Sequence, residues 1–364
     1  MCLHSLKGLK LRRIWQSDTD MLFEVHGPAA WPTPGLECRI KGLVPFDSDM
    51  VRPDNLRMRS VDCNRPGTTG YSVALSGFDV LRFHPHSTST IADFYEELDD
   101  DPSVLWMYVP VDPGERLTEI GLIQHTIIRQ SKLTVGSRHL GKRETTGADA
   151  CQLVTSNGRA VACGHYATDS DDMGWKHSLR FPEGPSRIYV NEWDPQDWHK
   201  GIERLGWDAT FSVAKTRRVR SLQRTVPATS PVILSRNGES WHYTFCSLDR
   251  AVEVTTCTRI GFSPPRAIVG MLIRYADGGR ACVGQYRMDW PLEVHTATES
   301  STLRIGLSHG KKKKYPHVLR VTTQELTETE ATLRWMELPM RGKLEWWFSL
   351  RKAKIYHHED TVMS

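Results

Sequence analysis

Residues 271–286 read MLIRYADGGRACVGQY. Two short runs of chain flank Asp277-Gly278-Gly279, a strong turn signal, because Gly takes positive φ freely and Asp tolerates it better than most residues. Gly-rich stretches can also cradle phosphates, but these glycines are only paired and lack P-loop or dinucleotide-binding spacing. The stretch therefore reads as a β-hairpin. A two-residue Asp277-Gly278 loop sets Ile273 opposite Cys282 and Tyr275 opposite Arg280. A three-residue loop that includes Gly279 sets Ile273 opposite Val283 instead. One step of register exchanges the faces of every side chain, so both registers stand at this level.

The same rhythm occurs earlier in the chain. Residues 155–166, TSNGRAVACGHY, lie over 275–286, YADGGRACVGQY, without a gap. Asn157-Gly158 meets Asp277-Gly278, Gly164 meets Gly284, and Tyr166 meets Tyr286. A fainter third copy is YSVALSGFDVLRFH at 71–84, turning at Ser76-Gly77. Self-similarity of this kind points to a duplicated hairpin unit.

Short runs punctuated by Gly, Pro, Asn and Asp continue on both sides. VLWMYVPV (104–111) ends in the turn cluster Asp112-Pro113-Gly114. LTEIGLIQHTIIRQ (117–130), RIYVNEW (187–193) and SWHYTFCSL (240–248) are rich in β-branched and aromatic residues. The stretch 331–356 reads as two strands around Arg341-Gly342-Lys343. Helix is scarce: TIADFYEELDD (90–100) carries an N-cap signal at Thr90 and an apolar face of Ile91, Phe94, Tyr95 and Leu98. TTQELTETEA (322–331) is balanced between helix and strand by its threonines. The expected fold is mainly β, with two or three packed antiparallel sheets of sandwich, prism or barrel-like form and one or two short helices. Three lobes are expected, 1–111, 112–228 and 229–364, with the freedom to pack as one unit; VPATSP (226–231) reads as the second connector.

The chain has 364 residues, with 47 Lys and Arg against 43 Asp and Glu, so its net charge of +4 gives no bulk attraction for nucleic acid. Twelve Trp supply core volume despite a 39% apolar content. The eight cysteines include no CxxC pair, which removes the common zinc-ribbon and thioredoxin spacings. No signal-peptide-like run opens the chain and no long apolar span occurs, so a cytoplasmic protein with reduced thiols and no membrane partner is expected. The basic run from Lys311 to Lys314 is a candidate nuclear address, though a solvated loop is the default for it.

Motifs for chemistry are few. His84-Pro85-His86, His357-His358 and Cys163-Gly164-His165 each lack the second pair that closes a metal site, and no metal or cofactor is expected. Asp169, Asp171 and Asp172 lack the remainder of a calcium loop. No nucleophile elbow or His-Glu-x-x-His occurs, so catalytic residues are unassigned. The best candidates for ligand contact are Trp193, Asp194 and Trp198, where flat rings alternate with carboxylates as a sugar or planar molecule requires. Tyr275 and Arg280 beside the turn, and Trp290 after it, complete the set.

Residues 266–290, RAIVGMLIRYADGGRACVGQYRMDW, and 341–350, RGKLEWWFSL, resemble a β-rich fungal family often described as F-box-associated. The resemblance implies a protein-interaction module of a ubiquitin-ligase-type complex, although no F-box is visible here. The turn, Gly-Arg, strand, Gly rhythm is also similar to jacalin-type β-prism lectins. The leading functional expectation is a non-enzymatic β scaffold, lectin-like, whose partner is a glycan, a small molecule or a protein. The alternative is a pocket enzyme of cyclase or isomerase type in fungal small-molecule biosynthesis, working by positioning and hydrogen bonding.

Overall fold

The structure, a computed structural model, describes residues 42–45, 58–77, 79–88, 94–98, 101–123, 126–128, 143–145, 150–164, 175–191, 201–202, 204–207, 211–215, 228–231, 233, 240–260, 266–308, 316–326 and 333–359. In chain order the strands begin with β1 (Gly42–Pro45), β2 (Met58–Cys63), β3 (Thr68–Ser76), β4 (Asp79–Ser87), β5 (Val104–Pro110), β6 (Leu117–Ile123), β7 (Thr126–Ile128) and β8 (Arg143–Thr145). They continue as β9 (Ala150–Thr155), β10 (Ala160–Gly164), β11 (Trp175–Arg180), β12 (Ser186–Asn191), β13 (Arg204–Trp207), β14 (Ser212–Lys215), β15 (His242–Ser247) and β16 (Ala251–Arg259). The last are β17 (Ala267–Tyr275), β18 (Arg280–Gly284), β19 (Leu292–Thr296), β20 (Thr302–Leu307), β21 (Val318–Thr322), β22 (Arg334–Pro339), β23 (Lys343–Phe348) and β24 (Ala353–His358).

The protein is mainly β, built of several open antiparallel sheets, none of which closes on itself among the described residues. The larger ones run β10-β9-β6-β11-β14 and β19-β16-β17-β21-β20-β22, with β18 also on β17. Smaller sheets run β1-β13-β12-β2, β4-β3-β5 and β15-β23-β24. One apolar cluster extends from Val61 through Leu117, Ile188 and Val254 to Phe348, so side chains from every third of the chain share a core. β5 and β23 are buried along their whole length; β5 reads as a continuous apolar run for that reason, whereas β23 buries Lys343 and Glu345 as well. In β23 the adjacent Trp346 and Trp347 point to opposite faces, and each fills a different apolar cluster.

The duplication seen in the sequence is a duplication of structure. β9–β10 pairs Val154 with Ala160, and β17–β18 pairs Arg274 with Arg280, the same register under the gapless alignment. In both, the loop holds three residues, Ser156-Asn157-Gly158 and Ala276-Asp277-Gly278. The Gly158 N–H donates to the Thr155 carbonyl at 3.0 Å and the Gly278 N–H to the Tyr275 carbonyl at 3.0 Å. The chain then needs positive φ, and Gly158 and Gly278 supply it at +77° and +86°. Both registers considered for the second hairpin therefore give way to a third, in which Ile273 faces Ala281. The loop begins one residue earlier than Asp277 because the type I turn needs Gly at its end.

The repeat extends beyond the hairpin. β6 on β9 and β16 on β17 carry equivalent bulges, with Glu119 opposite Val154 and Glu253 opposite Arg274. The carbonyls of the bulged Thr118 and Val252 each accept a bond at 2.9 Å, from the N–H of Phe181 and of Ala297. The unit is thus four strands, β10-β9-β6-β11 and β18-β17-β16-β19, and its core positions agree: Ile120 with Val254, Leu153 with Ile273, Cys163 with Val283. The hairpin at 71–84 pairs Ser76 with Asp79 across a shorter turn, so it does not share this geometry.

Two local expectations change. The helix expected over 90–100 is a 3-10 turn, Glu96–Leu98, among the described residues; the Leu98 N–H bonds to the Tyr95 carbonyl, and this i, i+3 spacing buries Tyr95 and Leu98 side by side. The stretch 331–356 holds three strands where two were expected: β22 and β23 flank Arg341-Gly342-Lys343 in different sheets, β22 on β20 and β23 beside β15, and β24 follows on the other side of β23. Of 322–331, Thr322 closes β21 and 327–331 lie outside the described residues.

Candidate functional site

Among the described residues three polar clusters stand beside the core, each built on a charged or imidazole side chain. The first joins the two repeats. The Arg159 guanidinium, at the end of the first hairpin, donates to Glu115 (Nε to Oε1, 2.9 Å) and to the Pro110 carbonyl at 2.8 Å. Arg280, from the second hairpin, pairs with Asp112 at 3.3 Å and donates to the carbonyls of Thr69 (3.2 Å) and Val111. Burial alone would raise the Glu115 carboxyl, but the Arg159 bonds and the Asp112 N–H outweigh it and hold it low. Arg280 therefore fastens the second hairpin to β3 and to the turn after β5. Tyr275 lies beside it, half-buried, donating its hydroxyl to the Ser247 carbonyl at 2.8 Å.

The second cluster sits on the sheet of β3, β4 and β5. Ser72 Oγ lies 2.8 Å from His86 Nε2 and 3.0 Å from the Tyr95 hydroxyl, all three buried. Arg287 covers them, its guanidinium 4.6 Å from the Tyr95 ring centre and 4.9 Å from that of Trp290, with Asp289 bonded at 2.9 Å. His84 stacks on Phe94 at 3.8 Å. Burial pushes His86 down to about 4 and His84 to about 3, so both rings are neutral at pH 7. A Ser-His pair of this kind suits nucleophilic catalysis only where a substrate can reach the oxygen; Ser72 is 0% exposed.

The third cluster lies on the outer face of the β15-β23-β24 sheet. Alternation along β23 sends Leu344, Trp346 and Phe348 to the main core, and Lys343, Glu345 and Trp347 to the other side. Lys343 Nζ lies 2.6 Å from Glu345 Oε1, with both side chains fully buried. Glu345 also accepts the backbone N–H groups of Thr229 (2.7 Å) and Ser230 (2.9 Å) and the Tyr243 hydroxyl (2.8 Å). Burial would raise this carboxyl, yet these donors hold it down at about 2. The segment VPATSP, expected as a connector, thus provides at Thr229 and Ser230 a strap pinned on a buried carboxylate.

Beside this face a cleft of about 210 Å³ opens where β24, the end strand of its sheet among the described residues, meets the corner of the large sheet. Cross-strand neighbours Leu307 and Val318, with Met336, line it from the large sheet. Ile355 and Tyr356 line it from β24, and Tyr356 also packs on the Tyr243–Trp347 cluster. Arg334 and Lys354 also line it, so an apolar cleft carries cationic side chains. Of the clusters and hollows described, this one alone combines access with an apolar lining, and it is the candidate site.

The residues expected from the sequence are not gathered there. Trp193, Asp194 and Trp198 lie outside the described residues, as do Asp169, Asp171, Asp172 and the lysines from Lys311 to Lys314. Tyr275 and Arg280 belong to the junction of the repeats, and Trp290 to the Arg287 cluster. Lys343 and Glu345 carried no sequence signal, since a strand's own residues do not show what covers its outer face. Leu307, Met336 and Ile355 read as ordinary strand residues because a cleft between two sheets has no local pattern. Among the described residues no group of three His, Cys, Asp or Glu converges as a metal site, and no helix is long and apolar enough to cross a membrane. No protein-family model matches the chain, and no curated protein matches it.

Proposed function

We propose that the protein is a non-enzymatic β scaffold that binds a small molecule with an apolar body and an acidic group, seated in the cleft between β24 and the corner of the large sheet. The observation that carries this reading is the lining itself: Leu307, Val318, Met336 and Ile355 offer apolar surface, while Arg334 and Lys354 supply positive charge. An apolar body gains roughly 25 cal/mol per Å² removed from water, and a carboxylate or sulfonate gains charge-assisted bonds from the two cations. A glycan would need several convergent hydrogen-bonding side chains, so the lining favours a small acid over a sugar. The buried Lys343–Glu345 and Ser72–His86 groups are committed to internal partners, which favours binding over the cyclase-like reading.

Calorimetric titration of the full chain with indole-3-acetate and with its neutral amide tests this. The carboxylate is expected to bind, the amide at least tenfold more weakly, and Met336→Glu to abolish binding of both. Equal binding of acid and amide, or binding unaffected by Met336→Glu, would overturn the reading. A response to neutral sugars alone would return the lectin-like alternative.

A further inference from the structure

We propose that β19 is a docking edge, and that its occupant is the β19 of a second copy of this chain, paired antiparallel about Val294. The duplication provides the first argument. In the first repeat, β11 is covered on its outer edge by β14, with Ser178 meeting Ala214. The equivalent strand of the second repeat, β19, ends its sheet with no further strand beyond it among the described residues. The position matching Ser178 is Val294, since Gly121 opposes Ser178 as Thr255 opposes Val294. Val294 is 60% exposed and Leu292 41%, an apolar pair on a strand edge of the kind that natural sheets usually protect with charge.

Hydrogen-bond parity supplies the second argument. Thr258 N–H donates to the Pro291 carbonyl at 3.0 Å, and Ala297 N–H to the Val252 carbonyl at 2.9 Å. Both bonds fall on the register that pairs Val254 with His295, so odd residues of β19 face β16. In an antiparallel ladder the alternate residues turn their N–H and C=O the other way. Leu292 and Val294 therefore present their backbone groups to the open edge, while the Thr296 carbonyl, on the same side, already accepts the Thr323 hydroxyl at 2.7 Å.

The third argument selects a second copy as the occupant. A two-fold axis at Val294 sets that residue against its own counterpart in a bonded pair and Leu292 against Thr296 twice. The same register sets Glu293 opposite His295 twice; within one strand the two already lie 3.9 Å apart, so the axis extends an acid–imidazole contact and the strand is complementary to itself in register and bonding.

Sedimentation velocity over a roughly hundredfold concentration series of the full chain reads the association. A reversible dimer is expected, and Val294→Pro should weaken it at least tenfold. That substitution removes an N–H that makes no bond inside the protomer, the one strand setting where Pro is tolerated. A second variant keeps the test independent of that fold: Val294→Cys should cross-link to itself under mild copper-phenanthroline oxidation, because the pair spacing suits a disulfide. Ala276→Cys, on an exposed hairpin tip, should not. A chain that stays monomeric throughout, a dimer indifferent to Val294→Pro, or equal cross-linking at 276 and 294 would each overturn the proposal.

Discussion

Replacing Lys343 by Met removes the positive half of a fully buried ion pair while keeping most of the side-chain volume. Glu345 then retains the Thr229 and Ser230 amides and the Tyr243 hydroxyl, with the His358 imidazole at 3.5 Å, but loses the ammonium at 2.6 Å. Removing one partner of a buried pair costs about 3–5 kcal/mol, because the remaining charge stays uncompensated. The three surviving donors place this case near the lower end. The carboxyl gives a second measure: a folded value of about 2 against roughly 4.3 unfolded corresponds to about 3 kcal/mol at most, and less after screening. Because the folded value is the lower one, this stability is complete above about pH 4.3 and is lost as pH falls from there through about 2. Without Lys343 the folded value rises toward the unfolded one, so this group's share of the acid limb shrinks and the stability deficit of the variant narrows as pH falls. Replacing both residues by Met removes the buried charge but strands two amides and a hydroxyl, at about 1–3 kcal/mol each, so it should recover only part of the loss. Glu345→Gln, which keeps one acceptor oxygen, should be milder than Glu345→Met. Urea unfolding at pH 7 and along an acid series measures all four. A loss below about 1 kcal/mol for Lys343→Met, or a deficit that does not narrow along the acid series, would refute the account.

Glycine provides a paired comparison. At Gly284 (φ +75°) an added Cβ would stand 2.3 Å from the Val269 carbonyl oxygen, whereas at Gly278 (φ +86°) nothing lies within 4 Å. Gly278→Ala should cost about 1–2 kcal/mol from backbone strain alone, and Gly284→Ala visibly more in the same unfolding assay. His86 is held near pH 4 by burial, below its unfolded value of about 6.5, so the unfolded chain binds the extra proton. Stability should fall by up to about 3 kcal/mol between pH 6.5 and 4 on its account, and His86→Gln should flatten that limb in a pH series. Burial raises the thiols of Cys246, Cys257 and Cys282, and Cys163, facing Cys151 across β9–β10, is raised by its hydrogen bond to that residue and by burial. These cysteines should resist iodoacetamide at pH 7.5 until denaturant is added, read by mass spectrometry of the intact chain.

Local chemistry carried much of the architecture. Asn157-Gly158 and Asp277-Gly278 placed two turns, and their gapless alignment located a duplication that the structure extends to four strands. The alternation and aromatic content of 104–111, 240–248 and 341–350 placed β5, β15 and β23, because strand formation depends on patterns a few residues long. The register of the second hairpin escaped because it depends on which residue opens the turn, and several adjacent residues can do so. Tyr275 and Arg280 were marked by sitting beside a turn, yet what occupies them lies far along the chain, at Ser247 and Asp112. Nothing local marked Lys343 and Glu345, because the strap that covers them starts more than a hundred residues earlier.

The sequence by itself determined that the chain is mainly β, where its principal turns fall and that one unit occurs twice. Only the tertiary structure decided which charges are buried, where an apolar cleft opens and which repeat leaves its edge uncovered. The division follows from range: turns and strands are set by φ preferences and period-two alternation among neighbours, whereas burial, pairing partners and clefts depend on contacts between segments distant in sequence.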